Sequence, residues 1–238
     1  MAKVRATSDI FIHYLFGSEQ NKEILLDFIN AVFQDADFPL VRSVDIQNPF
    51  NLRQYVHDKD SILDLRATTE TGKILHIEMQ SLGNTEYLKR ALYYWARIYA
   101  DQLKEGALYQ TLKPVVSINI LEFSLIPDID KTHTIFVPLE IDHSDLRLTE
   151  HFEMHFIEFP KFHQKNEGMK TRLKNWIYYL KSEGQLPEEE EEMRNVLENH
   201  EAIKRAREQY EKFNSNDEMR MLYEAREKWR KDHNSLMY

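Results

Sequence analysis

The sequence predicts an α/β fold, a mixed central β-sheet flanked by helices with a helical extension at the C-terminal end. Two observations predict the sheet: short β-type runs on either side of a turn between residues 61 and 80, and a nearly continuous apolar run over 114–123. A run of the second kind is typical of a strand covered on both faces. The third observation is the helical spacing of apolar residues over 84–104, which predicts a helix beside the sheet.

The sequence predicts one or two helices over residues 8–34, before the sheet. Asp9 stands where a helix N-cap is expected, since its carboxylate can accept the amide hydrogens of the next turn. A metal or substrate role for Asp9 is the alternative, and the spacing leaves both open. A short strand is predicted over 43–47. The apolar residues at helical spacing are Phe11, Leu15, Phe16, Ile24, Leu25, Phe28, Ile29 and Val32.

The centre of the predicted sheet is a β-hairpin over 61–80, with strands at 62–68 and 73–80. Its turn is the three-residue loop at 70–72, in which Gly supplies the left-handed backbone of a type I turn with a bulge. Counting back from this turn places Asp64 directly opposite Glu78. A slip of one residue would separate the two acids.

Asp64 and Glu78 are predicted to share one hairpin face with Gln80, because side chains alternate along a strand. Directly opposed residues bring their Cβ atoms to about 5 Å, where two carboxylates repel unless a proton or a cation lies between them. An all-oxygen site of this kind suits a hard divalent cation, Mg²⁺ or Mn²⁺. The alternative is an exposed hairpin face that carries ordinary acids.

The predicted helix over 84–104 has an apolar face and a basic, tyrosine-rich face. Arginine and lysine interleaved with tyrosine suit contacts to phosphates and stacking on bases. The alternative is a solvated helix face with half-buried tyrosines. The predicted apolar face holds Leu88, Ala91, Leu92, Trp95, Tyr99 and Leu103, and the predicted DNA-contacting residues are Lys89, Arg90, Tyr93, Tyr94 and Arg97.

In the rest of the chain, after residue 123, the sequence predicts two more strands and then helices. The strands are expected over 133–140 and 151–159, and a helix over 166–182 is expected to pack on the sheet. Beyond it the charges alternate and apolar residues are sparse, which favours exposed helices that pair with each other or with a second copy. We therefore divide the chain into an α/β domain at 1–183 and a C-terminal helical extension at 184–238.

Asp64, a spacer of 13 residues and Glu78-Met79-Gln80 together resemble the metal-binding core of the PD-(D/E)XK nuclease superfamily. More specifically, the chain is similar to the recombination-promoting nuclease (Rpn) family, which is also described as a transposase family. The similarity spans roughly residues 7–230. Besides the core it includes Thr7-Ser8-Asp9-Ile10-Phe11, Leu15-Phe16-Gly17, Arg90-Ala91-Leu92-Tyr93-Tyr94, and Tyr109 with Pro114-Val115-Val116-Ser117-Ile118.

The resemblance implies a restriction-endonuclease-like fold and Mg²⁺-dependent cleavage of DNA, linked to recombination or transposition. Asp64 and Glu78 would hold the ion, with the backbone carbonyl of Met79 completing the coordination, and Asp9 belongs to the family's N-terminal signature. Gln80 stands where the superfamily usually has lysine, and His13 stands where the family tends to have lysine. A neutral amide does not offset developing negative charge as lysine would, so Gln80 would instead orient the attacking water.

Composition limits the class of protein. The chain has 238 residues, 42% of them hydrophobic and 30% charged, which is near the globular average. It has no cysteine, which excludes thiolate metal sites and suits a reducing cytoplasm. No apolar run approaches 18 residues, so no membrane partner is expected. The net charge of −9 argues against a non-specific nucleic-acid coat but allows a local basic groove.

The first hypothesis is thus a cytoplasmic, metal-dependent endonuclease acting on DNA. The second is a DNA-binding or assembly module on the same fold that has lost catalysis, which the missing lysine and the acidic net charge both motivate. The third is a scaffold that binds partners, including a second copy, through residues 188–232. On the third hypothesis, deletion of that segment would leave nuclease activity intact.

Overall fold

In the computed structural model, the described residues are 3–50, 64–83, 86–163, 171–183 and 191–235, without the side chains of 229–235. They form a six-stranded mixed sheet with seven α-helices. The strands are β1 (Val44–Ile46), β2 (Asp64–Thr69), β3 (Ile74–Gln80), β4 (Val115–Leu121), β5 (His133–Phe136) and β6 (Phe152–Glu158). The helices are α1 (Asp9–Gly17), α2 (Lys22–Asp35), α3 (Tyr87–Ala100), α4 (Arg172–Ser182), α5 (Glu191–Asn199), α6 (Glu201–Ser215) and α7 (Asp217–Ser235).

The strand order in the sheet is β1-β2-β3-β4-β6-β5. Strands β3, β4 and β6 run parallel, whereas β1, β2 and β5 pair antiparallel to their neighbours. The segment between β3 and β4 includes α3, as a parallel connection requires. The predicted α/β class with a mixed sheet and flanking helices is therefore confirmed.

The two faces of the sheet are covered differently. One face of β2, β3 and β4 carries aliphatic side chains that pack in the main core against α1, α2 and α4. The other face packs against α3 in a smaller apolar cluster that includes Tyr87, Ala91 and Phe156. The polar hairpin face lies on this second side, so α3 covers the predicted site.

The hairpin has the predicted turn. Gly72 adopts a φ of 82°, and its amide donates to the Thr69 carbonyl at 2.9 Å. The Thr69 amide donates in turn to the Lys73 carbonyl at 2.9 Å, so these residues pair as expected. The loop length therefore sets the register of both strands, as it does in short hairpins generally. Residues 62 and 63, the first two of the predicted strand over 62–68, lie outside the described residues.

The N-cap of α1 was predicted wrongly. Ser8, not Asp9, has the extended backbone of a cap, and its hydroxyl accepts from the Phe11 amide at 3.4 Å. Asp9 is the first helical residue, and its carboxylate accepts from the Ile10 amide at 2.7 Å. Serine and aspartate are both good caps, so the sequence alone does not separate adjacent candidates.

The buried face of α3 also differs from the prediction. Leu88 and Leu92 were expected in the core, but they are 47% and 51% exposed. Ala91 is buried as predicted, and Tyr87 and Ile98 are buried with it. The helix is rotated in this way because its inward face must also accommodate polar contacts with the hairpin, which a count of apolar residues does not anticipate.

Strand β5 is shorter than the predicted 133–140. It ends at Phe136, two residues before Pro138, which has no amide hydrogen to donate to a ladder. Beyond it the chain makes one isolated bridge between Leu139 and Arg147. Proline therefore marks the end of regular pairing at this edge of the sheet.

The C-terminal helices contribute to the main core. Helices α5 and α6 bury apolar side chains in the same cluster as α1 and α2, and the Tyr210 hydroxyl donates to the Val4 carbonyl at 2.5 Å. The predicted boundary at 183–184 lies where the described residues stop, and it stays a prediction, as does a homo-oligomer contact through these helices. The buried side chains of α5 and α6 are Met193, Val196, Ile203, Ala206, Tyr210 and Phe213.

None of the described helices is both long enough and apolar enough to cross a membrane.

Candidate active site

Asp64 and Glu78 are Cα partners across β2 and β3, as the sequence predicts. Backbone groups on the outer side of β2 face β1, since the Asp64 carbonyl accepts from Asn48 Nδ2 at 2.6 Å and the Arg66 carbonyl accepts from the Gln47 amide at 2.8 Å. The two acids therefore form a non-hydrogen-bonded pair, the type in which Cα atoms approach to about 4.5 Å. Both carboxylates leave the sheet on the side of α3.

Two basic side chains of the hairpin hold Asp64. Its Oδ2 atom lies 3.1 Å from Arg66 Nε and 3.3 Å from His76 Nε2. Burial raises the pKa of the Asp64 carboxyl, but the hydrogen bond and charge of His76 and the charge of Arg66 lower it more, so this pKa stays below its ordinary value. Asp64 is therefore an anion at neutral pH, the form that binds a metal ion.

Glu78 is buried, with 2% of its surface exposed. Its Oε1 atom accepts from Arg90 Nη2 at 2.5 Å, and Oε2 lies 3.4 Å from the Tyr87 hydroxyl. That hydroxyl also lies 3.0 Å from Oδ1 of Asn119, the residue opposite Glu78 on β4. Burial raises the pKa of the Tyr87 phenol well above its ordinary value, so the hydroxyl stays protonated and donates. These partners offset the cost of burying a carboxylate.

Arg90 also fixes the amide of Gln80. Arg90 Nη2 donates to Gln80 Oε1 at 2.7 Å. A guanidinium group only donates hydrogen bonds, so the Gln80 atom that faces it must be the amide oxygen. The two amide N–H groups of Gln80 consequently point away from Arg90, where they can donate to a water or to a phosphate oxygen.

The backbone carbonyl of Met79 points to the β2 side of β3. The Gln80 carbonyl accepts from the Glu122 amide at 3.0 Å, on the β4 side. Successive carbonyls in a strand point to opposite edges, so the Met79 carbonyl is directed to the edge on which Asp64 lies. The Met79 side chain packs in the main core. Only the Met79 backbone is thus available to the site.

The structure divides the predicted DNA-contacting residues of α3 into two groups. Arg90 reaches the hairpin, and Tyr94 is half-buried beside it. Lys89, Tyr93 and Arg97 are exposed on the outer surface of α3. The inner group contacts the acidic pair or its neighbours, and the outer group forms a solvent-facing surface on the helix that covers them.

Asp9 lies on α1 and is paired with α7, the last of the described helices. Its Oδ2 atom accepts from Arg226 Nε of α7 at 2.6 Å. His13, one turn further along α1, experiences the charges of both Asp9 and Asp64. His13 therefore connects the surroundings of Asp9 with those of the hairpin acids.

We expect His13 to make the stability of the fold depend on pH between 6.5 and about 4. Burial lowers the pKa of His13 to about 4, against smaller opposing effects of Asp64, the Asn48 backbone and Asp9, while Arg226 lowers it slightly. The unfolded chain takes up the proton below pH 6.5, so stability is full above that pH and falls as the pH drops toward 4. The loss is about 3 kcal/mol at about 1.4 kcal/mol for each pKa unit.

Urea unfolding at pH 7 and pH 4.5 tests this expectation. His13→Gln should lose less stability between the two pH values than the wild type does. His143→Gln, in an exposed loop, is the control and should follow the wild type. An equal loss in wild type and His13→Gln would contradict the assignment.

The residues at this site fit a hard divalent cation. Asp64 and Glu78 supply carboxylate oxygens on one face, and the Met79 carbonyl is directed to the same edge. Magnesium usually takes one or two protein carboxylates and completes its octahedron with waters and substrate phosphates. Among the described residues no group of three or more His, Cys, Asp or Glu side chains is placed to hold an ion. The candidate ligands are thus two carboxylates, each of which has a guanidinium partner, Arg66 for Asp64 and Arg90 for Glu78.

Sequence reasoning did not name four side chains that surround the acidic pair. Arg66 and His76 contact Asp64, and strand alternation places both of them on its face. Tyr87 approaches Glu78, and Asn119 accepts from the Tyr87 hydroxyl. These two depend on how α3 and β4 pack against the hairpin, which no local pattern gives. Alternation therefore identifies two of the four.

The comparison with known proteins gives a family match over these elements. The model of a family described as PD-(D/E)XK nuclease family transposase matches residues 6–238, essentially the whole chain. No curated protein and no solved structure matches. The family match covers the hairpin that opposes Asp64 to Glu78, the helix α3 that covers it, and the helices that follow the sheet. The chain belongs to the PD-(D/E)XK nuclease family transposases.

Proposed function

We propose that this protein is a Mg²⁺- or Mn²⁺-dependent endonuclease that hydrolyses phosphodiester bonds in DNA during recombination or transposition. The observation that carries the proposal is the opposed pair of Asp64 and Glu78, two carboxylates on one hairpin face beneath a basic helix. Membership in a nuclease family supports the same activity.

The residues of the site have separate roles in this proposal. Asp64 and Glu78 hold the ion, and the Met79 carbonyl adds an oxygen ligand. A hard divalent ion supplies Lewis-acid polarisation of the phosphate and a lowered pKa for a bound water. Gln80 donates from its outward N–H groups, which orients the attacked phosphate or the water. His76 fixes the orientation of the Asp64 carboxylate, as outer partners of metal ligands commonly do.

The surroundings of the site supply contacts to DNA. Lys89 and Arg97 on the exposed face of α3 are suited to backbone phosphates. Tyr93, which is 60% exposed, offers a ring for stacking on a base. Tyr94 supports the hairpin from the inner side of the helix. Asp9, held by Arg226, contributes negative charge at the margin of the site.

Nicking of supercoiled plasmid DNA in the presence of Mg²⁺ tests the proposal. We expect the wild type to nick and the variants Asp64→Ala and Glu78→Gln to lose at least about a hundredfold, because outer-shell changes alone cost about 10–100-fold. Asp45→Ala and Glu201→Gln are matched controls, because both side chains are exposed surface acids. Equal nicking by the wild type and both site variants would exclude the assignment.

One observation favours a second function, that of a DNA-binding module without catalysis. Gln80 occupies the position where the superfamily usually has lysine, and Glu78 already has Arg90 as a close partner. Such a module would retard DNA in a gel, yet calorimetric titration with Mg²⁺ would show no heat that Asp64→Ala removes. A metal-binding heat that disappears in Asp64→Ala would favour the nuclease.

A further inference from the structure

The acidic pair of the site is balanced by two arginines. Arg66 Nε lies 3.1 Å from Asp64 Oδ2, and Arg90 Nη2 lies 2.5 Å from Glu78 Oε1. Each carboxylate that would bind a metal ion therefore already has a guanidinium partner. The charges of the two arginines cancel those of the two carboxylates. A divalent ion that enters the site therefore meets carboxylates that are already engaged with positive side chains.

We propose that metal and DNA bind to this site cooperatively by exchanging partners. The cation takes over Asp64 and Glu78, and the phosphates of the DNA backbone take over Arg66 and Arg90. This inference rests on the proposed function, and it adds that each ligand releases groups that the other one needs. Such a coupling is reciprocal, so DNA raises the metal affinity by the same factor by which metal raises the DNA affinity.

The contacts of Arg90 support the exchange. In the described part of the chain, its Nε–H is buried and has no hydrogen-bond partner. The guanidinium group lies 5.0 Å from the centroid of the Tyr87 ring and uses Nη2 for both Glu78 and Gln80. A buried donor without a partner is unfavourable, and a phosphate accepts from a guanidinium group through two parallel hydrogen bonds. Arg90 thus has unused capacity for a phosphate.

Arg66 is suited to the same exchange. Its side chain is 39% exposed, so it can leave Asp64 and reach a ligand in solvent with little rearrangement of the sheet. Arg66 and Asp64 stand two residues apart on one face of β2. Asp64 also keeps His76 at 3.3 Å when Arg66 leaves, and it remains oriented toward the site.

Electrostatics gives the direction of each effect. A positive guanidinium group in contact with Glu78 repels a second cation at the same carboxylate, so Arg90 weakens metal binding in the absence of DNA. Phosphates that bind Arg90 screen this repulsion and add their own attraction to the metal. Loss of Arg90 should therefore strengthen metal binding alone, while it weakens the coupling between metal and DNA.

The test measures metal binding and DNA binding separately from cleavage. Calorimetric titration of the full-length protein with Mg²⁺ at pH 8, without DNA, should show at least about fivefold tighter binding in Arg90→Gln than in the wild type, the lower end of common coupling factors. Arg90→Lys keeps the charge and should stay within about twofold of the wild type. Arg205→Gln, an exposed arginine on α6, is the matched control and should match the wild type.

The coupling itself is measured with a fluorescent DNA duplex and Ca²⁺, which takes the same oxygen ligands. In the wild type, Ca²⁺ should raise the duplex affinity at least about fivefold, and in Arg90→Gln this rise should be smaller. Arg66→Gln should shift both measurements in the same direction, and its exposed side chain makes it the safer variant if Arg90→Gln does not fold.

Two results overturn the inference, and they are distinguishable. Unchanged or weaker Mg²⁺ binding in both Arg90→Gln and Arg66→Gln, with Mg²⁺ binding that depends on Asp64 in the wild type, refutes the exchange and leaves the nuclease proposal standing. Absence of any Asp64-dependent Mg²⁺ binding in the wild type refutes both.

Discussion

A chain that ends at residue 183 is expected not to fold cooperatively. It lacks α5 and α6, whose buried side chains complete the main core. Phe11 of α1 packs edge-on against Tyr210 at 5.3 Å and against Phe213 at 5.5 Å. Without them Phe11 and the rest of this face of α1 would be exposed to water. Truncation thus removes part of the main core on which the aliphatic face of the hairpin packs.

The magnitude follows from the area that these helices bury. A fully buried large apolar side chain contributes about 1.5–3 kcal/mol. Met193, Val196, Ile203, Tyr210 and Phe213 together therefore contribute about 10 kcal/mol. This is comparable with the whole stability of a typical domain, about 5–15 kcal/mol. The truncated chain should consequently have no stable native state.

Thermal unfolding followed by circular dichroism measures this effect. The full-length chain should show a cooperative transition, and the chain ending at residue 183 should show none. A chain ending at Asn216, which removes α7 alone, is the control and should still unfold cooperatively, because the buried side chains of α5 and α6 remain. A cooperative transition together with plasmid nicking in the shorter chain would contradict the expectation and would support a tail that serves only as a scaffold.

The sequence predicts the hairpin well because its geometry is local. The length of the turn and the left-handed backbone of Gly72 determine the register, and the register determines that Asp64 faces Glu78. Strand alternation then places Gln80 on the same face. No contact with a distant part of the chain is needed to reach this result.

The errors arise where distant contacts decide the structure. The count of apolar residues on α3 placed Leu88 and Leu92 inward, but the buried carboxylate of Glu78 draws Arg90 to the inner face and rotates the helix. Sparse apolar residues after 184 suggested exposed helices. A few apolar residues, such as Tyr210 and Phe213, are sufficient to complete a core that they share with distant residues of α1, such as Phe11.

Lys161→Met is expected to destabilise the fold by about 3–5 kcal/mol, because it leaves a buried charge without its partner. Glu158 is fully buried, and its Oε2 atom accepts from Lys161 Nζ at 2.7 Å. Lys161 Nζ also donates to the carbonyls of Ile126 at 2.5 Å and Ile129 at 2.6 Å. The lysine therefore satisfies both a carboxylate and two carbonyls of the segment between β4 and β5.

Glu158 binds the same segment from its other oxygen. Its Oε1 atom accepts from the amides of Leu125 at 2.5 Å and Ile126 at 3.1 Å. The Glu158–Lys161 pair thus fixes the connection from β4 to β5 over the C-terminal end of β6. Gln80 lies at the C-terminal end of β3, which is at the same end of these parallel strands. With the lysine gone, the carboxylate has to take up a proton or admit water, and either change loosens this connection.

Urea unfolding of Lys161→Met, Glu158→Gln and the double variant separates the pair from its surroundings. Each single variant leaves one buried partner unsatisfied, so the double variant should lose less stability than the two single losses added together. Lys22→Met, in an exposed pair with Glu19, is the control and should leave the stability close to that of the wild type. A comparably small change in Lys161→Met, or strict additivity in the double variant, would show that Lys161 and Glu158 do not stabilise the segment as a pair.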